Sequence, residues 1–162
     1  MLKAYKYQIY PTALQKHQLG MHFDHTRHVY NWALEQKIKT YEETKKSLSR
    51  SELQNRLVEM KKTEKLWLRE VNSQSLLATL FQLEAAFQNF FQKRAGFPKF
   101  KKKYDGHQSF QCPQHVTVDV ENKLLNLPKI KHIAIELHRT FSGIIKTVTV
   151  KKIPRENILL AY

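Results

Sequence analysis

The segment that decides the fold is NFFQKRAGFPKFKKK, residues Asn89–Lys103. Apolar residues recur at helical spacing before it and alternate as in β-strands after it. Gly96 and Pro98 predict the end of a long helix, with the glycine as the C-cap. Six of the eleven residues from Lys93 to Lys103 are basic, none is acidic, and aromatic residues lie among them. This basic run offers phosphate contacts and faces on which bases stack, although a solvated linker has the same composition.

On the N-terminal side the pattern predicts one strand and then about four helices. The opening LKAYKYQIY alternates and stops at Pro11, which is typical of a strand. Two capping-box pairs, Thr12 with Gln15 and Ser49 with Glu52, predict helix starts. Apolar stripes predict helices over residues 23–41 and from about residue 73. The residues expected to face a core are Leu53, Leu57, Met60, Trp67, Leu68, Val71, Leu76, Leu80, Leu83, Phe87, Phe90 and Phe91.

On the C-terminal side the pattern predicts four or five short strands. Alternation is clearest in VTVDV at 116–120, HIAIEL at 132–137 and KTVTV at 146–150. We expect the first strand to join the last ones in one sheet, with the helices as an insertion. The predicted fold is therefore α+β, a small antiparallel β-barrel interrupted after its first strand by a helical subdomain. The expected bounds are 1–11 for the first strand, 12–96 for the helical domain and 97–162 for the rest of the barrel.

Charge is the compositional outlier of this chain of 162 residues. Its formal net charge is +14 and its pI is about 9.9, which favours a polyanionic partner. Residues 93–152 hold 13 basic and 4 acidic residues, so the charge is concentrated in the second half. One cysteine, Cys112, excludes an internal disulfide. No apolar run approaches the roughly 20 residues of a membrane span, and we expect a cytoplasmic protein without a membrane partner.

The residues that usually carry chemistry are absent or poorly placed. The carboxylates are few and fall mostly on predicted helix surfaces, with no pair suited to acid–base catalysis. His22, His25 and His28 have i, i+3, i+6 spacing, but no cysteine or carboxylate completes a metal site. Four glycines form no phosphate-binding loop. We therefore expect no catalytic residue, no metal and no cofactor in this chain.

Several motifs, taken together and in order, resemble one family. They are KYQIYPT at 6–12, RHVYNWALEQKIKTYEET at 27–44, WLREVNSQSL at 67–76, FQNFFQKRAGFPKFKKK at 87–103, QSFQCPQ at 108–114 and LPKI at 127–130. The chain resembles the N-terminal part of TnpB (OrfB) proteins, transposon-encoded RNA-guided DNA nucleases related to type V CRISPR effectors. The resemblance covers residues 1 to about 152.

The resemblance implies a wedge domain, which is a small β-barrel, interrupted by a helical recognition domain. The wedge would bind the guide-RNA scaffold, and both domains would read a short motif beside the target DNA, while base pairing reads the target itself. Carried over by position, the DNA-motif residues are Arg50, Gln54, Ser73, Gln74, Leu77, Pro113, Gln114 and His115. Leu77 departs from the family, since many relatives carry Gln there, so the motif or the strength of its reading is expected to differ.

The expected RNA- and phosphate-binding residues are Lys93, Arg94, Lys99, Lys101, Lys102, Lys103 and Lys6. Alanine at the four lysines from Lys99 to Lys103 is expected to weaken RNA binding at little cost in stability, since the run looks exposed. Phe90→Ala is expected to cost roughly 3–5 kcal/mol if Phe90 is core.

The C-terminus departs most from the family pattern. Relatives continue into a RuvC-like nuclease domain with three metal-binding carboxylates and usually a zinc ribbon, whereas this chain reads IPRENILLAY after Lys152. The leading interpretation is a non-catalytic module that binds guide RNA and target DNA. The alternatives are one half of a split endonuclease with a separately encoded RuvC partner, a truncated inactive remnant, and a duplex-DNA-binding repressor.

Overall fold

The computed structural model describes residues 3–103, 108–139, 143–152 and 158–161. Helices and an antiparallel sheet make up these residues, which confirms the α+β class. The chain divides into two compact units: a sheet unit of Met1–Phe23 with Tyr104–Tyr162, and a helical unit of Asp24–Lys103. The helical unit begins within the first helix, and Leu19 and Phe23 of that helix belong to the core of the sheet unit.

Seven strands form the sheet in the described part of the chain. They are β1 Lys6–Tyr10, β2 Gln108–Cys112, β3 Thr117–Asp119, β4 Leu124–Leu127, β5 Ile130–Ile135, β6 Val148–Lys152 and β7 Ile158–Ala161. The hydrogen-bonded order is β2-β6-β7-β1-β5-β4-β3, with antiparallel neighbours throughout. Strand β1 pairs with β5 and β7, so the first strand does join the later ones. Six strands follow the helices, where four or five were predicted.

The sheet has an open order in the residues described. Strands β2 and β3 are its edges, and no described pairing joins them. Closure into a barrel is therefore not confirmed. The segment after Lys152, which does not follow the family pattern, contains β7, and β7 fills the place between β6 and β1.

The core of the sheet unit follows from strand alternation. Tyr7 and Ile9 of β1 are each 2% exposed, while the preceding Lys6 is exposed to solvent. Phe110 of β2 contacts Phe23 edge-to-face at 5.1 Å between ring centroids. The predicted capping box at Thr12 is present. The Gln15 backbone N–H donates to Thr12 Oγ1 at 3.2 Å, and the Thr12 backbone N–H donates to Gln15 Oε1 at 2.8 Å. Gln15 Nε2 also donates to the Lys131 carbonyl at 2.8 Å, which joins the helix start to β5.

The helical unit contains three α-helices and one 3-10 helix among its described residues, where about four helices were predicted. Helix α1 is continuous over Ala13–Thr44 and enters this unit at Asp24; α2 is Arg50–Lys62, the 3-10 helix is Leu66–Glu70, and α3 is Ser73–Phe91. The predicted capping box of Ser49 and Glu52 opens α2. The fully buried leucines of this unit are Leu34, Leu53, Leu57, Leu68, Leu76, Leu80 and Leu83.

The end of α3 differs from the prediction in two ways. The helix stops at Phe91, before Gly96, because Lys93 adopts a left-handed φ of 60° and the Arg94 N–H donates to the Asn89 carbonyl at 2.8 Å. The aromatic end of α3 is also not core. Phe91 is 70% exposed, and Phe87 and Phe90 are only half-buried. Trp67, expected in a buried connector, is 38% exposed.

Candidate nucleic-acid interface

Arg50 and Gln54 lie one turn apart on α2, and Arg50 reaches across to α3. Its Nη1 donates to Gln54 Oε1 at 3.1 Å and its Nε donates to Glu84 Oε2 at 3.2 Å. The guanidinium carbon lies 4.0 Å from the centroid of the Phe81 ring, within the range of a cation–π contact. The Arg50 side chain is 26% exposed. Its guanidinium is therefore held in one orientation by three neighbours while part of it stays open to solvent.

The predicted residues at the start of α3 share this region of the helical unit. Asn72 caps α3 by accepting from the Gln74 N–H at 3.3 Å. Ser73 is exposed, and Gln74 and Leu77 are half-buried. Leu77 and Phe81 are one turn apart and lie on the same side of α3. Since Phe81 also contacts Arg50, this spacing puts Leu77 on the side of α3 that meets Arg50. We call the surface of Arg50, Gln54, Leu77, Phe81 and Glu84 the α2–α3 face.

The third predicted group, Pro113, Gln114 and His115, belongs to the sheet unit. It forms the connection between β2 and β3. Pro113 is half-buried, while Gln114 and His115 are exposed. His115 has a φ of 63°, so the turn holds a non-glycine residue in the left-handed region. An exposed amide and an exposed imidazole are thus presented side by side, and both groups can hydrogen-bond to base edges.

The basic run is largely exposed. Lys93, Arg94, Lys99 and Lys102 all have exposed side chains, and Pro98 alone among residues 93–103 is buried. Lys93 and Arg94 directly follow α3, where cations are favoured by the negative end of the helix dipole. Exposed cations of this kind are able to contact phosphates.

Lys101 and Lys103 are held against α1 and are not linker residues. Asn31 clamps the backbone of Lys101, donating from Nδ2 to its carbonyl at 2.8 Å and accepting its N–H at 2.7 Å. The Lys101 ammonium lies 4.2 Å from the centroid of the Tyr30 ring, and burial of that group lowers its pKa. Lys103 Nζ lies 3.8 Å from Asp24 Oδ2. The run is therefore fixed to the helix at its C-terminal end.

Lys6, the predicted phosphate-binding residue of β1, is exposed on the outer face of the sheet unit. The register Gln8–Leu159–Lys151 across β1, β7 and β6 places Lys151 on the same outer face, because directly paired residues share a side. Lys151 is exposed and was not among the predicted residues. Its signal in the sequence is the alternation of KTVTVK, which puts Val150 inside and Lys151 outside.

Two further residues of the α2–α3 face were missed from the sequence. Phe81 and Glu84 contact Arg50, yet neither stands out in the sequence, since Phe81 fits an apolar helix and Glu84 a solvated one. Their contact with a residue 31 or more positions away is visible only in three dimensions. Asn31 and Tyr30, which anchor Lys101, were missed for the same reason.

Three histidines of α1 pack against aromatic rings. His22 lies against Phe110 at 5.0 Å between centroids, and both His25 and His28 contact Trp67, at 4.8 and 5.0 Å. In the described residues no three His, Cys, Asp or Glu side chains are grouped as metal ligands. Burial lowers the pKa of His25 and of His28, and the Lys65 ammonium, 2.7 Å from His28 Nε2, lowers the pKa of His28 further.

Comparison with known proteins identifies the family. A model named for the OrfB helix-turn-helix domain of IS605-type elements matches residues 1–46. "Putative RNA-guided DNA endonuclease InsQ" of Escherichia coli K12 is 36% identical over 152 residues, which is 93% of this chain and 38% of that protein. The virulence protein VsdF of Salmonella dublin is 35% identical over 114 residues, which is 64% of this chain and 96% of that protein. The chain belongs to the TnpB (OrfB) family. A Streptomyces pristinaespiralis protein with the same RNA-guided endonuclease description is 39% identical over 102 residues, 62% of this chain and 25% of that protein.

The match covers only part of the length of the TnpB relatives that are named as endonucleases. The chain spans 38% and 25% of the two relatives named as endonucleases. The matching domain model is named helix-turn-helix, and the elements found in the matched residues can be compared with that name. Within residues 1–46, those described form β1 and the continuous helix α1, without a turn to a second helix. None of the helices in the described residues is long and apolar enough to cross a membrane.

Proposed function

We propose that this TnpB-family chain is a nucleic-acid-binding module that holds a guide-RNA scaffold and reads a short motif in target DNA. The sheet unit corresponds in this proposal to the wedge domain and the helical unit to the recognition domain. The module does no chemistry on its own, and sequence recognition of the target is left to base pairing with the guide.

The observation that carries the proposal is the α2–α3 face. Arg50 is oriented by Phe81, Glu84 and Gln54 while 26% of its side chain remains open. Arginine and glutamine are side chains that contact base edges in pairs of hydrogen bonds. A guanidinium that is held in place before binding loses less conformational entropy when it meets a base. The half-buried Leu77 beside them would give an apolar contact where many relatives have an amide.

The charge of the chain supports the RNA half of the proposal. The net charge of +14 favours a polyanion, and the basic run and Lys6 present exposed cations in the two units. The predicted roles of Lys93, Arg94, Lys99 and Lys102 fit their exposure. Lys101 and Lys103 are already engaged by Tyr30 and Asp24, so we propose that they position the run and contribute less to phosphate binding.

The test is binding of the purified chain to a structured RNA transcribed from beside its gene, against a scrambled RNA of equal length. Filter binding over a salt series is expected to show a preference for the structured RNA and a steep linear loss of log affinity with log salt. Equal binding of the two RNAs, or an affinity that salt does not change, would overturn the proposal.

A second candidate is one part of an RNA-guided DNA endonuclease. It is favoured by the names of two relatives, which describe them as RNA-guided DNA endonucleases. In this case a RuvC-type nuclease segment would supply the metal-binding carboxylates, and cleavage would use metal ions as in other nucleases. Adding a RuvC polypeptide encoded downstream, together with guide RNA and Mg²⁺, should produce guide-dependent cleavage of matching DNA. No cleavage with an intact downstream polypeptide present would exclude this candidate.

Reading of duplex DNA by a helix-turn-helix is less supported, since the described residues within 1–46 form only one helix.

A further inference from the structure

The helical unit contains an aromatic groove that the basic run and the α2–α3 face do not account for. It is a cavity of about 340 Å³ between the end of α1, the end of α3 and the segment after α3. Its lining is Lys37, Ile38, Tyr41, Glu42, Ser47, Phe87, Phe90, Phe91 and Phe97. Its volume lies near the lower end of the range of ligand pockets, about 300–1,000 Å³.

The rings of this groove are exposed to an unusual degree. Phe91 is 70% exposed, Tyr41 56% and Phe97 47%. Clustered exposed aromatics on a folded unit generally mark a binding surface. The rings are nevertheless ordered by one another, since Phe97 stands edge-on to Phe87 and Phe90 at 5.4 and 5.2 Å between centroids. The groove therefore offers ring faces whose orientation is fixed before anything binds.

The charges around the groove indicate an anionic occupant. Lys93 and Arg94 lie two and three residues after Phe91, and Lys99 lies two residues after Phe97; all three are exposed. Lys45 Nζ lies 5.8 Å from the centroid of the Tyr41 ring. Glu42 is the one acidic residue in the lining. Aromatic faces beside cations suit a nucleotide, whose base stacks while its phosphate is neutralised.

Aromatic composition favours a base over a protein segment. Five of the nine lining residues are Phe or Tyr, and Ile38 is the single aliphatic one. A groove for an apolar peptide gains from aliphatic side chains of any shape, whereas stacking needs flat π-faces. Unpaired bases splayed from RNA loops are commonly recognised in this way.

We infer that the aromatic groove formed by Tyr41, Phe87, Phe90, Phe91 and Phe97 binds an unpaired RNA nucleotide by base stacking. This inference rests on the proposed function, because it gives the guide RNA a second contact on the helical unit. Phe91 supplies the most accessible ring, and Lys93 and Arg94 supply the neighbouring cations.

The test measures binding of a short unstructured RNA that carries 2-aminopurine, whose fluorescence falls when the base stacks. Phe91→Ala and Phe91→Leu are expected to weaken binding at least about five-fold and to reduce the quenching. Phe91→Tyr is expected to retain both, since it keeps a π-face. Leu14→Ala is the matched control, because Leu14 is 68% exposed and lies outside the groove.

The variants separate stacking from other uses of the groove. If Phe91→Leu binds the RNA as tightly as wild type, or no variant changes the quenching, the inference is overturned. A DNA oligonucleotide of the same sequence that binds more tightly than the RNA, with the same dependence on Phe91, would overturn the assignment to RNA. Wild-type preference for structured RNA combined with unaffected Phe91 variants would refute the groove and leave the proposed function standing. If the wild type shows no preference for structured RNA, but the Phe91-dependent quenching is observed, the proposed function is refuted and the groove stands.

Discussion

The four lysines at the end of the basic run divide into two pairs that should behave differently. All four are exposed, but Lys101 also lies over the Tyr30 ring and Lys103 also faces Asp24. The double variant Lys99→Ala with Lys102→Ala is expected to lose phosphate contacts and little stability. The double variant Lys101→Ala with Lys103→Ala is expected to lose stability and fewer contacts.

The size of each effect follows from the contacts. Each phosphate contact on a single strand contributes about 0.7 to the slope of log affinity against log salt. Removing two contacts should lower the slope by about 1.4, so that raising salt from about 50 to 200 mM weakens the variant about seven-fold less than wild type. For the anchored pair, a cation–π contact of about 0.5–2 kcal/mol and a surface ion pair of about 0–1 kcal/mol together suggest a loss near 1–2 kcal/mol.

The assay is filter binding to the structured RNA over a salt series, with urea denaturation of each variant in parallel. The two doubles are each other's control, since both remove two lysines from the same four positions. An equal fall in slope for the two pairs would refute the assignment of different roles to the two pairs. So would a stability loss confined to the Lys99 and Lys102 pair.

Three further outcomes can be checked on single variants. Glu84→Gln removes the carboxylate that orients the Arg50 guanidinium. This variant should change the preference among duplex DNA motifs in a competition assay, at a stability cost below about 1 kcal/mol. Leu83→Ala, at a fully buried position, should cost about 2–5 kcal/mol in urea denaturation, and Phe90→Ala less than that, because Phe90 is half-buried; equal costs would contradict this assignment. His28 has a lowered pKa in the folded state, so its contribution to stability is present above its unfolded pKa near 6.5 and is lost as pH falls through the folded pKa. His28→Gln should flatten that acid loss, whereas His17→Gln, at an exposed position, should leave it unchanged.

The sequence predicted the elements of the fold better than their ends. Capping boxes and apolar periods located the helix starts at Ala13, Arg50 and Ser73, because those signals are local. The end of α3 was misplaced because Gly96 is a strong C-cap signal, while the chain ends the helix with lysine at Lys93. Strand β2 was missed because QSFQC is short and polar, and its pairing with β6 is a contact between distant residues.

The candidate site divides along the same line. Exposure of the basic run and of the loop at Gln114 follows from composition, and both were foreseen. The anchoring of Lys101 was not foreseen, since Asn31 lies 70 residues earlier in the chain. The expectation that all four lysines could be removed at little cost in stability rested on reading the run as uniformly exposed. The exposed Phe91 and the half-buried Phe90 were likewise taken for core, because helical periodicity does not tell how far a core extends along a helix.

The backbone at the turns gives an independent reason to connect this fold with polyanions. Every non-glycine residue with positive φ in the described part of the chain is basic or histidine, with φ between 54° and 67°: Lys45, Lys93, His115, Lys123, Lys129 and His132. Each is exposed, so packing does not offset a left-handed conformation that costs such residues about 1–2 kcal/mol. At Lys45 and Lys93 the end of a helix partly compensates, since cations are favoured there. The other four lie in the sheet unit. His115, Lys123 and Lys129 are in connections between strands, where glycine or asparagine would have less strain. His132 lies within β5, and its backbone N–H donates to Asn126 Oδ1 at 2.9 Å. Basic side chains that project from these positions into solvent are well placed to meet phosphates.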